Sequence, residues 1–328
     1  MKVVIFSAEA HDRAFLPRAN ADDAHELTFL DARLDNSTAV LASGYDAVCA
    51  FVCDELSEEV LVQLHRQGIR LVALRCAGFN NVDLQTASRL GITVARVPAY
   101  SPHAVAEHTF ALLLMLTRKL HRAHNRVREG NFELEGLLGF NLHEKVLGIV
   151  GTGAIGNVVA RIGTGFGCKV IACDPAPNDE CRAMGVRYVD WSTLCREVDI
   201  LTLHCPLTAD TKHLLSAREI AAMKQAVTII NTSRGAVLDT RAVIDGLKSG
   251  KIGALGLDVY EEEDGLFFHD LSEQVIQDDM FARLITFPNV VITGHQGFFT
   301  QEALAAIAET TIANLSSFAD TGHAVHAL

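Results

Sequence analysis

Several things are scarce in this sequence, and each shortage closes off a class of protein. Basic residues are outnumbered: 28 Lys and Arg stand against 40 Asp and Glu, a formal net charge of −12. A nucleic-acid binder needs a basic face to neutralise phosphates, so no nucleic-acid partner is expected. The one locally basic stretch, RKLHRAHNRVREG (118–130), reads as a solvated helix face. No C-x-x-C pair occurs. The eight cysteines are scattered at 49, 53, 76, 168, 173, 181, 195 and 205, several inside expected strands or helices. Reduced, buried thiols of a cytoplasmic protein are distributed in this way, and a disulfide framework is not. Long apolar runs are missing. The longest, FALLLML (110–116), is too short to span a bilayer, and MKVVIFSAEAHDR reads as a first strand and not a signal peptide, so no membrane partner is expected. There is no fixed-period repeat and no low-complexity linker. Aromatic residues make up only 6%, yet 49% of the chain is hydrophobic. A sizeable core can therefore be buried, and 328 residues suit two domains.

What is present is alternation. VVIFSA, YDAVCAFVC, IRLVALRC and ITVARV read as strands, with helical patterns such as SEEVLVQLHRQG and DLQTASRLG between them. Apolar strands separated by helices imply parallel sheets covered on both faces. At VPAYSPHAVAEHTFALLLMLTRKLHRAH (97–124) the pattern changes. Ser101 can cap a helix and Pro102 fits its first turn. The helix that follows is expected to be long and apolar on every side, so it must be buried between domains or against another subunit. A second alternating series starts at Lys145, with strands KVLGIV, KVIACD, DILTLHC, AVTIIN, IGALGLDV and NVVITG. The last helix, TQEALAAIAETTIANLSSFA, has no domain of its own to join. The economical topology returns it to the first domain. The expected fold is therefore α/β with two doubly wound parallel-sheet domains. The first, flavodoxin-like, comprises 1–100 and 300–328; the second, a Rossmann domain of 101–299, is inserted into it.

The second series opens on VLGIVGTGAIGNVVARIGTGFGCKVIACDP (146–175). Here G-x-G-x-x-G lies in its proper context of strand, turn, helix and second strand. Gly151 permits the tight turn, Gly153 lets a pyrophosphate approach the backbone, and Gly156 allows close packing. The helix N-terminus offers free N–H groups to phosphates. Asp174, 18 residues beyond Gly156, can accept hydrogen bonds from both ribose hydroxyls and would repel a 2′-phosphate. NAD is favoured over NADP. FAD uses a similar fingerprint, but usually near the N-terminus.

Ligands of such sheets bind beyond the carboxyl ends of the strands. NTSRG places Arg234 there, LDVYEEE places Asp258 and Glu263, and TGHQGFF places His295. A 2-oxo acid needs this set. Its carboxylate suits the bidentate fork of an arginine, and its carbonyl must receive a proton that a histidine can give near neutral pH. A carboxylate beside the imidazole favours its protonated form and fixes the ring. Taken singly, Glu263 could be one more member of a solvated acidic run, and Arg234 or His295 a structural side chain. Their placement after successive strands of one sheet argues otherwise.

With these motifs in hand, the chain resembles the D-isomer-specific 2-hydroxyacid dehydrogenases over essentially its whole length, most of all their fermentative D-lactate branch. The resemblance implies that Arg234 orients the substrate carboxylate, Glu263 supports the histidine and His295 is the acid/base. It implies that Ile155, Cys205, Pro206, Thr211, Thr232 and Asp258 lie on the cofactor side with Gly151, Gly153, Gly156 and Asp174. AGFNN would be the substrate loop, with N–H groups of Ala77 and Gly78 on the carboxylate and Tyr100 and Phe298 closing the pocket. It also implies D-specificity, a homodimer or homotetramer, and pyruvate with D-lactate as the substrate pair. Many members have proline where this chain has Gly294, and a small residue where it has Gln296. Domain closure about hinges near Tyr100–Ser101 and Phe299–Thr300 is expected.

Other histidines suggest no metal site. His121 and His124 have a workable spacing but no acid or cysteine to complete a set, while His103 and His108 do not share a face. His204 is expected nearer the cofactor. Two other readings remain at this point: the same chemistry on a larger D-2-hydroxy acid, and an NAD(H)-sensing regulatory protein.

Overall fold

Runs such as Val3-Val4-Ile5 and Leu71–Leu74 lack the polar alternation of a one-faced strand. In the computed structural model they pair in parallel and are buried on both faces. The structure describes residues 1–20, 24–263, 265–268 and 270–328. Asp264, in the acidic run, lies outside the described residues.

The chain divides into two compact units, Met1–Ser101 with Phe298–Leu328, and Pro102–Gly297. Breaks were expected after residues 100 and 299; they fall after 101 and 297, so Phe298 and Phe299 both lie in the first unit. That unit holds β1 (Lys2–Ile5), β2 (Glu26–Phe29), β3 (Ala47–Ala50), β4 (Leu71–Leu74) and β5 (Thr93–Ala95), in the parallel order β2-β1-β3-β4-β5. This is the flavodoxin-like order. Its helices are α1 (Ala10–Ala19), α2 (Glu58–Arg66), α3 (Leu84–Leu90) and the last helix of the chain, α12 (Gln301–Thr321). Asp83 caps α3 by accepting from the Thr86 N–H, and Gly91 ends it with φ +68°, where a side chain would be strained. Thr300 caps α12, which packs against α1 and β4.

The second unit holds β6 (Val146–Val150), β7 (Lys169–Cys173), β8 (Arg187–Tyr188), β9 (Ile200–Leu203), β10 (Val227–Asn231), β11 (Ile252–Leu257) and β12 (Val290–Ile292). Their parallel order, β12-β11-β10-β9-β6-β7-β8, is that of a Rossmann sheet with one further strand. The order reverses between β6 and β9, which places the ligand crevice at the carboxyl ends of those two strands. The helices are α4 (Pro102–Thr117), α5 (Leu120–Arg128), α6 (Ala154–Gly165), α7 (Asp179–Ala183), α8 (Trp191–Glu197), α9 (Ala217–Ala222), α10 (Thr240–Lys248) and α11 (Asp279–Leu284).

Three local expectations need correction. The sheets contain two strands that the apolar runs do not mark, β2 and β8. Both lie at a sheet edge, where one flank is open to solvent and an unbroken apolar run is not required. The long helix is two helices. Lys119 takes a left-handed backbone (φ +51°) between α4 and α5, and Gly139 sits so close to the end of α4 that a Cβ there would lie 2.0 Å from the Thr117 carbonyl oxygen. Finally, α4 is buried by its own unit: it packs on α6 and on β10, β11 and β12. Among the described residues no helix is long and apolar enough to cross a membrane.

Candidate active site

At the end of β6 the chain turns at Gly151, φ +89°, where a Cβ would come within 2.7 Å of the His204 carbonyl oxygen. Gly153 caps α6, and nothing lies within 4 Å of where its Cβ would be. The start of α6 is therefore open to a ligand, with first-turn N–H groups lacking helical partners. Gly156 serves a closer contact than helix against sheet. Its Cβ would fall 1.9 Å from the Gly151 carbonyl oxygen, so it lets the helix close on the turn itself.

Asp174 follows β7. Its Oδ2 accepts from the Thr152 N–H (2.5 Å) and the Thr152 hydroxyl (3.1 Å), and its Oδ1 from the Ala176 N–H (2.7 Å). The Tyr188 hydroxyl donates to Thr152 Oγ1 at 2.9 Å, and the Asn178 amide to the Thr152 carbonyl at 3.1 Å. The Asp174 carboxylate is thus held in place by Thr152, which Tyr188 and Asn178 hold in turn. Sequence reasoning did not identify these three, because nothing in their spacing couples them.

His204 ends β9 facing the same turn. Its N–H donates to the Val150 carbonyl at 2.7 Å, while both ring nitrogens are buried with no hydrogen-bond partner among the described residues. Cys205 is buried, and burial pushes its thiol up to about 11. The Thr211 hydroxyl donates to the Pro206 carbonyl at 2.6 Å, closing the loop after β9. Thr232, after β10, is buried with its hydroxyl 3.0 Å from that of Thr109, and Ile155 is half-buried in the first turn of α6. A dinucleotide fits this set: an open glycine at a helix N-terminus, a fixed carboxylate on the next strand and an unpartnered imidazole beside the turn.

Arg234, Glu263 and His295 follow three neighbouring strands, β10, β11 and β12. Asn231, the last residue of β10, donates to the Arg234 carbonyl at 2.9 Å and so shapes the arginine loop. Arg234 itself donates to the Ser233 carbonyl at 2.7 Å. Gly235 is required next to it, since a Cβ there would overlap the Tyr260 carbonyl carbon at 1.9 Å. Glu263 Oε2 accepts from the Tyr260 N–H at 3.2 Å, and Oε1 lies 3.1 Å from His295 Nδ1. Glu263 and His295 side chains are 25% and 18% exposed, so the pair is largely shielded from water. The carboxylate accepts from Nδ1–H, which leaves Nε2 as the nitrogen free for proton exchange. The structure brings Glu263 and His295 into contact; the hydrogen bonds described for Arg234 stay within its own loop.

Asp258 was expected on the nucleotide side. It is 2% exposed, and its carboxylate is turned onto the histidine loop: Oδ1 accepts from the Gln296 N–H and Oδ2 from the Gly297 N–H, both at 2.8 Å. Burial alone would push this carboxyl up, but hydrogen bonds and charge outweigh it and hold Asp258 below the usual carboxylate range.

In the first unit, the loop after β4 has a consistent polarity. The carbonyls of Cys76, Ala77 and Gly78 are taken by the Val97 N–H (3.2 Å), the Arg96 guanidinium (3.0 Å) and the Cys76 thiol (3.2 Å). In planar trans peptides the next N–H points the opposite way, so those of Ala77, Gly78 and Phe79 face away from these donors. The signal for Arg96 lay too far along the chain to be read beforehand. Phe298 is 9% exposed and packs among Phe51, Tyr100 and Phe299 with ring centroids 6.0–6.3 Å apart. Among the described residues no cluster of three or more His, Cys, Asp or Glu is placed to hold a metal ion.

This arrangement defines a nicotinamide-dependent oxidoreductase, and comparison with known proteins supplies the family. Residues 110–297 match the D-isomer specific 2-hydroxyacid dehydrogenase, NAD binding domain. The chain is 50% identical over 317 residues to the D-lactate dehydrogenase of Escherichia coli, covering 97% of this chain and 96% of that protein. It superposes with TM-score 0.92 on the pyruvate reductase of Chlamydomonas reinhardtii, at 44% identity over 97% of this chain and 96% of that one. With the D-lactate dehydrogenase of Aquifex aeolicus, solved in complex with NAD and lactic acid, the TM-score is 0.87 at 33% identity, covering 98% of both chains. The chain belongs to the D-isomer-specific 2-hydroxyacid dehydrogenase family, and it is an NAD-dependent enzyme of that family.

Burial pulls the His204 imidazole down to about 3. Its folded value lies below the unfolded one, so the stabilisation is complete above pH 6.5 and is lost as pH falls towards the folded value. Urea unfolding of the cofactor-free protein is expected to lose about 2–3 kcal/mol between pH 7 and pH 4.5 from this residue. In His204→Leu that share of the slope should vanish, while the smaller, same-sign contribution of His25 remains. Equal slopes in the two proteins would contradict it.

Proposed function

We propose that the protein catalyses the reversible NAD-dependent interconversion of pyruvate and D-lactate. The observation that carries the reading is the Glu263–His295 pair at the carboxyl edge of the NAD-binding sheet, one strand from the Arg234 loop. NADH, when bound, supplies the hydride. His295 gives its Nε2 proton to the carbonyl oxygen and takes it back in the reverse direction, while Glu263 fixes the tautomer and the ring plane. Arg234 presents its planar fork to the substrate carboxylate, donating to it. Asp174 selects NAD over NADP by repelling a 2′-phosphate. The names of the relatives above support the lactate assignment. A panel of 2-oxo acids ranked by kcat/KM tests it; a larger branched or aromatic acid matching pyruvate would refute it, and NADH binding with negligible turnover of any acid would indicate a sensor.

The exposed apolar residues of the second unit support a homo-oligomer, dimer or tetramer. Leu134 and Leu138, on the segment after α5, are 81% and 88% exposed, and Phe132 is 73% exposed. Exposed apolar side chains of this kind suit burial against a second copy of the chain. We also place the protein in the cytoplasm. None of the eight cysteines is in a disulfide, and burial pushes the thiols of Cys49 and Cys195 up to about 11 and 12, so they stay protonated.

Three outcomes follow for variants. His295→Ala is expected to lower kcat roughly 10²–10⁴-fold with NADH affinity retained, measured by NADH oxidation and fluorescence titration. Arg234→Lys should weaken oxo-acid binding by about 1.5–3 kcal/mol, seen chiefly in KM, because an ammonium cannot reproduce the fork. Leu134→Asp with Leu138→Asp should shift the mass measured by light scattering towards the 35.5 kDa chain; an unchanged mass would exclude this surface from the interface.

A further inference from the structure

His295 has a positive φ of +53°. A non-glycine residue pays about 1 kcal/mol or more for that conformation and keeps it only where neighbouring groups enforce it. The enforcing group is Asp258. Its backbone carbonyl accepts from the His295 N–H at 2.7 Å, and its carboxylate accepts from the next two N–H groups. The Thr293 hydroxyl adds a third donor to that carboxylate at 2.5 Å.

A fourth donor comes from a distant part of the chain. His108, in the second turn of α4, brings Nε2 to 3.2 Å from Asp258 Oδ1 and 3.0 Å from Thr293 Oγ1. Since the Thr293 hydroxyl proton is directed at Asp258, its oxygen can only accept here, and His108 Nε2 must be the donor to both. The His108 side chain is 15% exposed, so little water is available to replace that hydrogen bond. The loop backbone lies directly on the pair. A Cβ at Gly297 would meet Asp258 Oδ2 at 2.9 Å and the His108 ring at 3.5 Å.

We infer that His108 is a positioning residue for the reaction: through Asp258 and Thr293 it locks the 294–297 loop and so aims the His295 ring. It contacts neither Glu263 nor His295 in the described hydrogen bonds, and it acts on the geometry of proton transfer alone. Removing its N–H leaves the carboxylate under-coordinated and free to release one of the loop N–H groups. A shift of the acid by a fraction of an ångström lowers the rate of proton transfer while leaving the binding groups, Arg234 and the glycine turn, in place.

The inference rests on His295 being the acid, and the experiment separates the two. His108→Phe keeps a ring and removes the donor; His108→Gln restores an N–H near the Nε2 position. The expected result for His108→Phe is a kcat lower by roughly 10- to 100-fold, with KM for pyruvate, the NADH dissociation constant and the thermal midpoint close to those of the parent. His108→Gln should recover most of the lost kcat. The inference is overturned if His108→Phe keeps its kcat, if both variants lose kcat equally, or if the loss simply follows a fall in thermal midpoint. His295→Ala, assayed alongside, tells the two failures apart. An inactive His295→Ala with a fully active His108→Phe removes only the clamp, whereas a fully active His295→Ala removes the acid assignment and the clamp with it.

Discussion

Burying an ionised carboxylate is tolerable only when its lone pairs are met by donors, and the donors that meet Asp258 are parts of the site itself. The Asp258 N–H donates to the Asn231 carbonyl at 2.9 Å, and the Asn231 side chain holds the Arg234 carbonyl. The Asp258 carbonyl and carboxylate hold three consecutive N–H groups from His295 onward. One residue at the end of β11 therefore links the arginine loop on one neighbouring strand to the histidine loop on the other. Displacing Asp258 would disturb the loops that carry Arg234 and His295 without removing either side chain.

The nucleotide side follows a different principle. There the backbone does most of the work, and side chains mainly keep it open. Gly151 and Gly156 are needed because carbonyl oxygens lie where their Cβ atoms would be, whereas Gly153 faces empty space. Only the last of the three is free of protein sterics, which is the condition for a phosphate to approach. The Asp174 carboxylate is held by Thr152 at its base, so its orientation exists before any ribose arrives. Preorganised polar groups cost less on binding than groups that must be ordered by the ligand.

Much of this was legible beforehand because it is local. The glycine pattern, the apolar strands and the polar residues that end them each occupy a few consecutive positions, and the topology follows from their alternation. Two of the four edge strands escaped notice because exposure frees them from the apolar pattern: β8 is two residues long and β2 is only half-buried. The break after α4 carries no glycine or proline; it lies at Lys119 and is fixed by packing further along. The positioning contacts were illegible for another reason. His108 and Thr293 are 185 positions apart, and Thr152 and Tyr188 are 36 apart. Periodicity and local spacing carry no information about such pairs.

The same geometry explains how far the histidine loop can depart from the pattern common in its family. Gly294 is exposed, has nothing within 4 Å of a Cβ, and shows no positive φ; its N–H is not among the donors to Asp258. Proline at that position would lose no described hydrogen bond, and it would bias Thr293 towards the extended backbone that already ends β12. Gln296 is also exposed and contributes its N–H, which every residue but proline possesses. Gly297 has no such latitude, because the Asp258 carboxylate and the His108 ring occupy the space beside it. The loop is free where it faces solvent and fixed where it meets the clamp, so variation at 294 and 296 leaves the aim of His295 intact.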